Sequence, residues 1–164
     1  MRQSARGRLC SVFLLLWATY ASADFTGKVV GVADGDTLTV LRGSEQVKVR
    51  LVEIDAPEKA QAFGQKSKQA LAGLVHGRDV QVVEHGLDKY RRTLGRIYLD
   101  GLDVNAEQVR QGMAWVYLRY SKDAGLIQLE AEAREQRRGL WRDSEPVPPW
   151  EWRKQKKAKH LGPS

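Results

Sequence analysis

Cysteine is nearly absent: Cys10 is the single one in 164 residues, and it falls in the leading segment. The rest of the chain has no thiol to serve as a nucleophile, to form a disulfide or to bind zinc. Long apolar runs are missing as well. The richest, VFLLLW at residues 12–17, falls far short of the ~20 apolar residues that span a bilayer. No internal repeat is visible, which excludes a solenoid or propeller. A strong excess of one charge is also lacking. Arg2, Arg6 and Arg8 belong to the leading segment, so of 27 Lys and Arg, 24 remain beside 20 Asp and Glu, a net of +4. That balance fits nucleic acid, an anionic surface or neither, so the placement of the charges must decide.

Residues 1–23 join those arginines to the short apolar run and close on Ala21-Ser22-Ala23. This is the pattern of a secretory signal peptide, removed after Ala23. A secreted or periplasmic protein with no stable membrane association after cleavage is therefore expected. The chain from Asp24 onward is about one domain in size, large enough to bury about two-thirds of its unfolded surface.

The stretch VRLVEIDAPE, residues 49–58, carries the most information. Val47, Val49 and Leu51 alternate with Lys48, Arg50 and Val52, as in a half-buried strand. Pro57 then forces a turn. Strict alternation would send Arg50 and Asp55 to opposite faces, so a shared site requires a twist or bulge near Ile54. One guanidinium and two carboxylates, Asp55 and Glu58, then stand within nine residues, a set suited to phosphate esters. Upstream, VVGVADGDTLTV reads as two strands joined at Asp34-Gly35, a turn favoured by tolerance of positive φ, and it delivers Asp36. Downstream, Asp88, Lys89, Tyr90, Arg91 and Arg92 precede another strand.

The remaining pattern is of short strands and a few helices. Residues 58–75 read as a helix with Phe63, Ala70, Leu71, Leu74 and Val75 on one stripe, stopped at His76-Gly77. Val80, Val82 and Val83 mark a fourth strand and residues 96–99 a fifth. Asn105 followed by Gln108 reads as a capped helix start with Gly112 as its stop, and residues 126–138 read as a last helix.

DGDT, RLVEIDAPE and DKYRR in this order resemble the staphylococcal nuclease (thermonuclease) family. The likeness continues through VNAEQVRQGMAWVY and RGLW, and spans residues 26–141. It implies an α+β fold: a five-stranded OB-fold barrel with about three helices over residues 24–143. It implies Ca2+ held by Asp36, Asp55 and the backbone carbonyl of Ala56, where the best-known member of the family has threonine. Arg50 and Arg92 would hold the scissile phosphate, with spacing from Asp88 and Tyr90 selecting Arg92 over Arg91. Glu58 would orient or deprotonate the attacking water. Lys89 and Tyr90 match positions on a terminal phosphate, and Tyr120 an aromatic against the base; a further family tyrosine is replaced by Leu118 beside Tyr117. The implied activity is hydrolysis of DNA and RNA to 3′-phosphorylated products, by a monomer that prefers single strands. A nucleic-acid-binding module without catalysis is the alternative.

Beyond Trp141 the composition shifts. Residues 144–164 form a tail in which Pro146, Pro148 and Pro149 interrupt regular structure and Trp150 and Trp152 flank Glu151. The Pro-Trp segment is expected to dock, and the end bearing Arg153, Lys154, Lys156, Lys157 and Lys159 to fray or to serve as an electrostatic arm. None of the candidate site residues lies there, so turnover on short strands is expected to survive its removal.

Overall fold

A computed structural model describes residues 24–161; the expected signal peptide lies outside the described residues. In chain order the first elements are β1 (Phe25–Val32), β2 (Thr37–Arg42), β3 (Glu45–Leu51), β4 (Ile54–Asp55) and α1 (Gly64–Val75). Then come β5 (Asp79–Leu87), β6 (Thr93–Leu99), β7 (Leu102–Asp103), α2 (Val104–Arg110) and β8 (Trp115–Val116). The chain ends with α3 (Ala124–Glu135), a 3₁₀ turn (Gly139–Arg142) and α4 (Pro149–Leu161).

Five strands close a barrel. Antiparallel neighbours run β3-β2-β1-β5-β6, and a parallel pairing of β3 with β6 joins the two edges. This is the expected α+β, OB-fold-like barrel, with four helices where about three were expected. Closure needs β6 to pass close to its neighbours. A Cβ at Gly95 would lie 2.8 Å from the Val49 side chain and 3.0 Å from that of Val82. Along β6, buried and partly exposed residues alternate without a break, so Thr93, Gly95, Ile97 and Leu99 face inward and Leu94 and Arg96 outward. Val29, Leu38, Val40, Val49, Val82 and Ile97 fill the interior. A second cluster of Trp115, Ala133, Leu140 and Trp141 packs beside it, covered by Phe63 and Trp150.

Local expectations are corrected at four places. Helix α1 starts at Gly64, not at residue 58, because the Gln61 amide donates to the Glu58 carbonyl and Phe63 takes a φ of 64°. Glu58 therefore precedes the helix, in an irregular turn. Helix α2 is capped by Asp103, whose side chain accepts from the Ala106 amide; Asn105 is buried and bonds to Ile97 and Val52 instead. Helix α3 ends at Glu135, since Arg137 takes a φ of 51°. The basic segment after Trp150 continues as helix α4 and does not fray within the described residues.

Candidate active site

The loop between β1 and β2 presents Asp36. Asp34 acts as a turn residue, its carboxylate accepting from the Asp36 amide at 3.2 Å. Gly35 contributes differently from what the sequence implies. Its φ is not positive; its need is for space, because a Cβ would lie 1.8 Å from Ser67 Oγ on α1 and 2.7 Å from Ala56 Cβ. Gln108 of α2 fixes the same loop by donating to the Gly35 carbonyl at 2.8 Å. Asp36 is thereby pressed inward. Burial pushes its carboxyl up to about 7, against the pull of Arg50 and of the Ala56 amide, which donates to Oδ2 at 2.6 Å.

Arg50 is the hub. After Leu51 the chain bends through Val52 and Glu53, where Glu53 adopts a φ of 66°. Arg96 at 2.9 Å and Ser121 at 3.0 Å both bond the Glu53 carboxylate and hold the bend. This break, next to Ile54, turns the Ile54 carbonyl onto Arg50 Nη1 at 3.1 Å and brings Asp55 Oδ1 to 3.0 Å from Nη2. Nη1 also lies 3.1 Å from Asp36 Oδ2. The expected deviation from alternation is present, and the guanidinium binds both carboxylates. Asp36 and Asp55 are nearly sealed from solvent.

Glu58 is half-exposed at the mouth of this cluster, and Arg153 of α4 joins it to the rest. Arg153 donates to Asp55 Oδ2 at 2.7 Å, to Asp55 Oδ1 at 3.2 Å and to Glu58 Oε1 at 2.7 Å. Burial opposes its charge, but these bonds outweigh burial and raise its pKa further above the ordinary arginine value. The expectation that the tail stands apart from the site is therefore overturned. Trp150 anchors α4 by stacking on Tyr117, with centroids 5.1 Å apart, and by meeting Trp115 edge-on at 5.8 Å.

Arg92, Lys89 and Tyr90 form a neighbouring group. Asp88 accepts from Arg92 Nε at 2.7 Å, and both Arg92 and Lys89 lie over the Tyr90 ring. No ion pair joins Arg92 to Asp36, Asp55 or Glu58 among the described residues. The strand register still relates them: Leu94 pairs with Arg50 and faces outward with it, and Arg92 precedes Leu94 by two residues. Arg91 lies in the turn with a φ of 63° and its side chain exposed. Tyr120 is exposed and packs edge-on against Tyr117 at 4.8 Å, while Leu118 is exposed beside it.

No group of three or more His, Cys, Asp or Glu residues is arranged to hold a metal among the described residues. The converging donors are instead the oxygens of Asp36 and Asp55, both already facing cationic groups. An all-oxygen set with two carboxylates fits a hard divalent ion whose remaining ligands are carbonyls and water.

The family model for staphylococcal nuclease homologues matches residues 48–143. The chain belongs to that family. A protein of Shigella flexneri named micrococcal nuclease is 42% identical over 160 residues, covering 91% of this chain and 92% of its own. An Escherichia coli O157:H7 protein named as an uncharacterized endonuclease is 47% identical over 146 residues, covering 88% and 95%. One of the same description from Haemophilus influenzae is 49% identical over 133 residues, covering 80% and 75%.

Within this staphylococcal nuclease homologue, Arg153 is the site residue that sequence reasoning missed. A signal was present. It is the one arginine among the basic residues of this segment, the others being Lys154, Lys156, Lys157 and Lys159, and a planar fork suits a carboxylate pair better than an ammonium does. The buttress formed by Glu53, Arg96 and Ser121 left no comparable trace, because its members are 25 or more positions apart.

Proposed function

We propose that this chain is a calcium-dependent phosphodiesterase that cuts DNA and RNA with little sequence preference and leaves 3′-phosphorylated ends. Membership of the family and the nuclease names of its relatives support endonuclease activity on nucleic acid. The observation that carries the reading is the position of Arg50, 3.1 Å from Asp36 and 3.0 Å from Asp55, with Glu58 linked to the same cluster through Arg153. A binding module has no use for two buried carboxylates aimed at one guanidinium, because phosphates repel them.

In this reading Asp36 and Asp55, with the Ala56 carbonyl, hold Ca2+. The bound ion would supply positive charge next to the phosphate. Arg50 and Arg92 bind the scissile phosphate and stabilise the charge that grows on its oxygens as the bond to phosphorus forms. Glu58 orients a water and takes up its proton, and the water oxygen attacks phosphorus. The bond from phosphorus to the 5′-oxygen breaks, its electron pair leaves with that oxygen, which takes a proton from solvent to become the 5′-hydroxyl, and the phosphate stays on the 3′ side. Lys89 and Tyr90 contact a terminal phosphate, and exposed Tyr120 offers a stacking surface that any base can use, which favours single strands. The protein acts as a monomer, outside the cytoplasm, once residues 1–23 are removed.

Incubation of denatured DNA with the protein in calcium, and again in EGTA, tests this reading. Cleavage in calcium alone is expected, with new ends that release phosphate to a 3′-phosphatase. Strand binding without cleavage would instead identify a nucleic-acid-binding barrel.

A further inference from the structure

Arg153 has no part in the proposed reaction, yet it bridges two of the site's carboxylates. Its guanidinium covers both oxygens of Asp55, at 2.7 and 3.2 Å, and one oxygen of Glu58 at 2.7 Å. Arg50 already takes the other approach to Asp55 Oδ1 at 3.0 Å. Asp55 thus has few directions left from which a metal ion could be bound. Glu58, paired in this way, has one oxygen already occupied.

We infer that Arg153 is a tethered cation that competes with the metal for Asp55 and keeps Glu58 engaged until the metal displaces it. This rests on the reading of Asp36 and Asp55 as metal ligands. Charge balance supports it. Arg50 bonds Asp36 and Asp55, and Arg153 bonds Asp55 and Glu58, so Arg153 supplies the positive charge that faces the outer two carboxylates. A divalent ion in its place would bring more positive charge to the same group. Arg50 and Arg153 already share Asp55 Oδ1, at 3.0 and 3.2 Å, so a divalent ion added beside both would meet the repulsion of two guanidiniums, and Arg153 is the more exposed of the two.

The anchorage of α4 permits the exchange. Trp150 is fixed by Tyr117 and Trp115, and the Gln61 side chain donates to the Val147 carbonyl at 2.6 Å just before the helix. These contacts hold the start of the helix without using Arg153. The Arg153 side chain is 42% exposed, whereas that of Asp55 is 1% exposed. The guanidinium can therefore swing into solvent by rotation of its own stem while α4 stays docked. Arg153 is on this view a positioning residue, acting through Asp55 and Glu58.

Calcium titration of the full chain by calorimetry tests the inference, with wild type compared to Arg153→Gln, Arg153→Lys and Lys157→Gln. Circular dichroism verifies folding, and melting in EGTA provides a second readout. Arg153→Gln should bind calcium at least about tenfold more tightly and should melt at a lower temperature in EGTA. Arg153→Lys, which keeps the charge without the fork, should fall between it and wild type. Lys157→Gln removes the same charge from the exposed side of the helix and should change affinity by less than about twofold in physiological salt. Unchanged or weaker binding by Arg153→Gln would overturn the inference, because a purely structural arginine would weaken the site on removal. An equal gain in Lys157→Gln would overturn it too, by assigning the effect to net charge. If none of the four proteins bound calcium, the metal reading itself would fall. If all bound equally, only the role of Arg153 would.

Discussion

Arg50 Nη2 lies 3.0 Å from Asp55 Oδ1, although the two side chains would point to opposite faces of an unbroken strand. The left-handed turn at Glu53 reverses the parity of the chain between them. It also delivers the Ile54 carbonyl to the same guanidinium at 3.1 Å. A mostly covered network around Arg96 and Ser121 thus fixes the geometry of a nearly sealed one.

Space at Gly35, rather than backbone freedom, should govern substitution there. Gly35→Ala forces a Cβ against Ser67 and Ala56 and is expected to cost about 1–3 kcal/mol, as overpacking does. Gly43, with a φ of 60° and nothing within 4 Å of an added Cβ, should accept asparagine with little loss. Urea unfolding of both variants measures the contrast.

The two neighbouring arginines should behave differently. Arg92→Ala removes a side chain held by Asp88 just ahead of β6, two residues before Leu94, the strand partner of Arg50. It is expected to lower cleavage by about 10²-fold or more, as loss of a charge-stabilising donor does. Arg91→Ala should leave cleavage near wild type. Asp88→Asn should fall between them, since it frees Arg92 without removing it. Initial rates on a short single-stranded substrate compare the three variants, and the reverse order of Arg91 and Arg92 would contradict the assignment.

Acid stability should depend on Glu107. Bonds to Arg110 Nη2 and Gln111 hold its carboxyl below the usual glutamate range despite its burial. A carboxyl with a depressed folded-state pKa stabilises the fold at pH values above its unfolded pKa, about 4.3. That contribution is lost as pH falls through the lower, folded value. Glu107→Gln should therefore be less stable than wild type at neutral pH, and the gap should narrow below about pH 4. Denaturant midpoints measured across that range give the comparison.

Much of this architecture is legible in the residues alone. Alternation in β3, the Asp34-Gly35 turn and the His76-Gly77 stop each come from local residue chemistry, and the barrel from the family motifs. The need for a break beside Ile54 can be read because Arg50 and Asp55 have the wrong parity for one face. The start of α1 is not legible. Its apolar stripe runs into residues 58–63, and what stops the helix from extending backward is the Gln61 amide bonding the Glu58 carbonyl and the positive φ of Phe63. Asn105 resembles a cap because its burial against Ile97 is a tertiary fact. The docking of Arg153 depends on Tyr117, Trp115 and Asp55, each far away in sequence, so its being the one arginine among lysines marks it without saying what it meets.

Glu58 is the direct test of whether the cluster is catalytic. Glu58→Gln keeps the size and hydrogen-bonding reach of the side chain and removes its basicity. Calcium-dependent cleavage of denatured DNA should fall by about 10²–10⁴-fold, while calcium affinity and single-strand binding stay within a few-fold of wild type. Cleavage by Glu58→Gln at the wild-type rate would contradict the proposed role of this carboxylate in activating water.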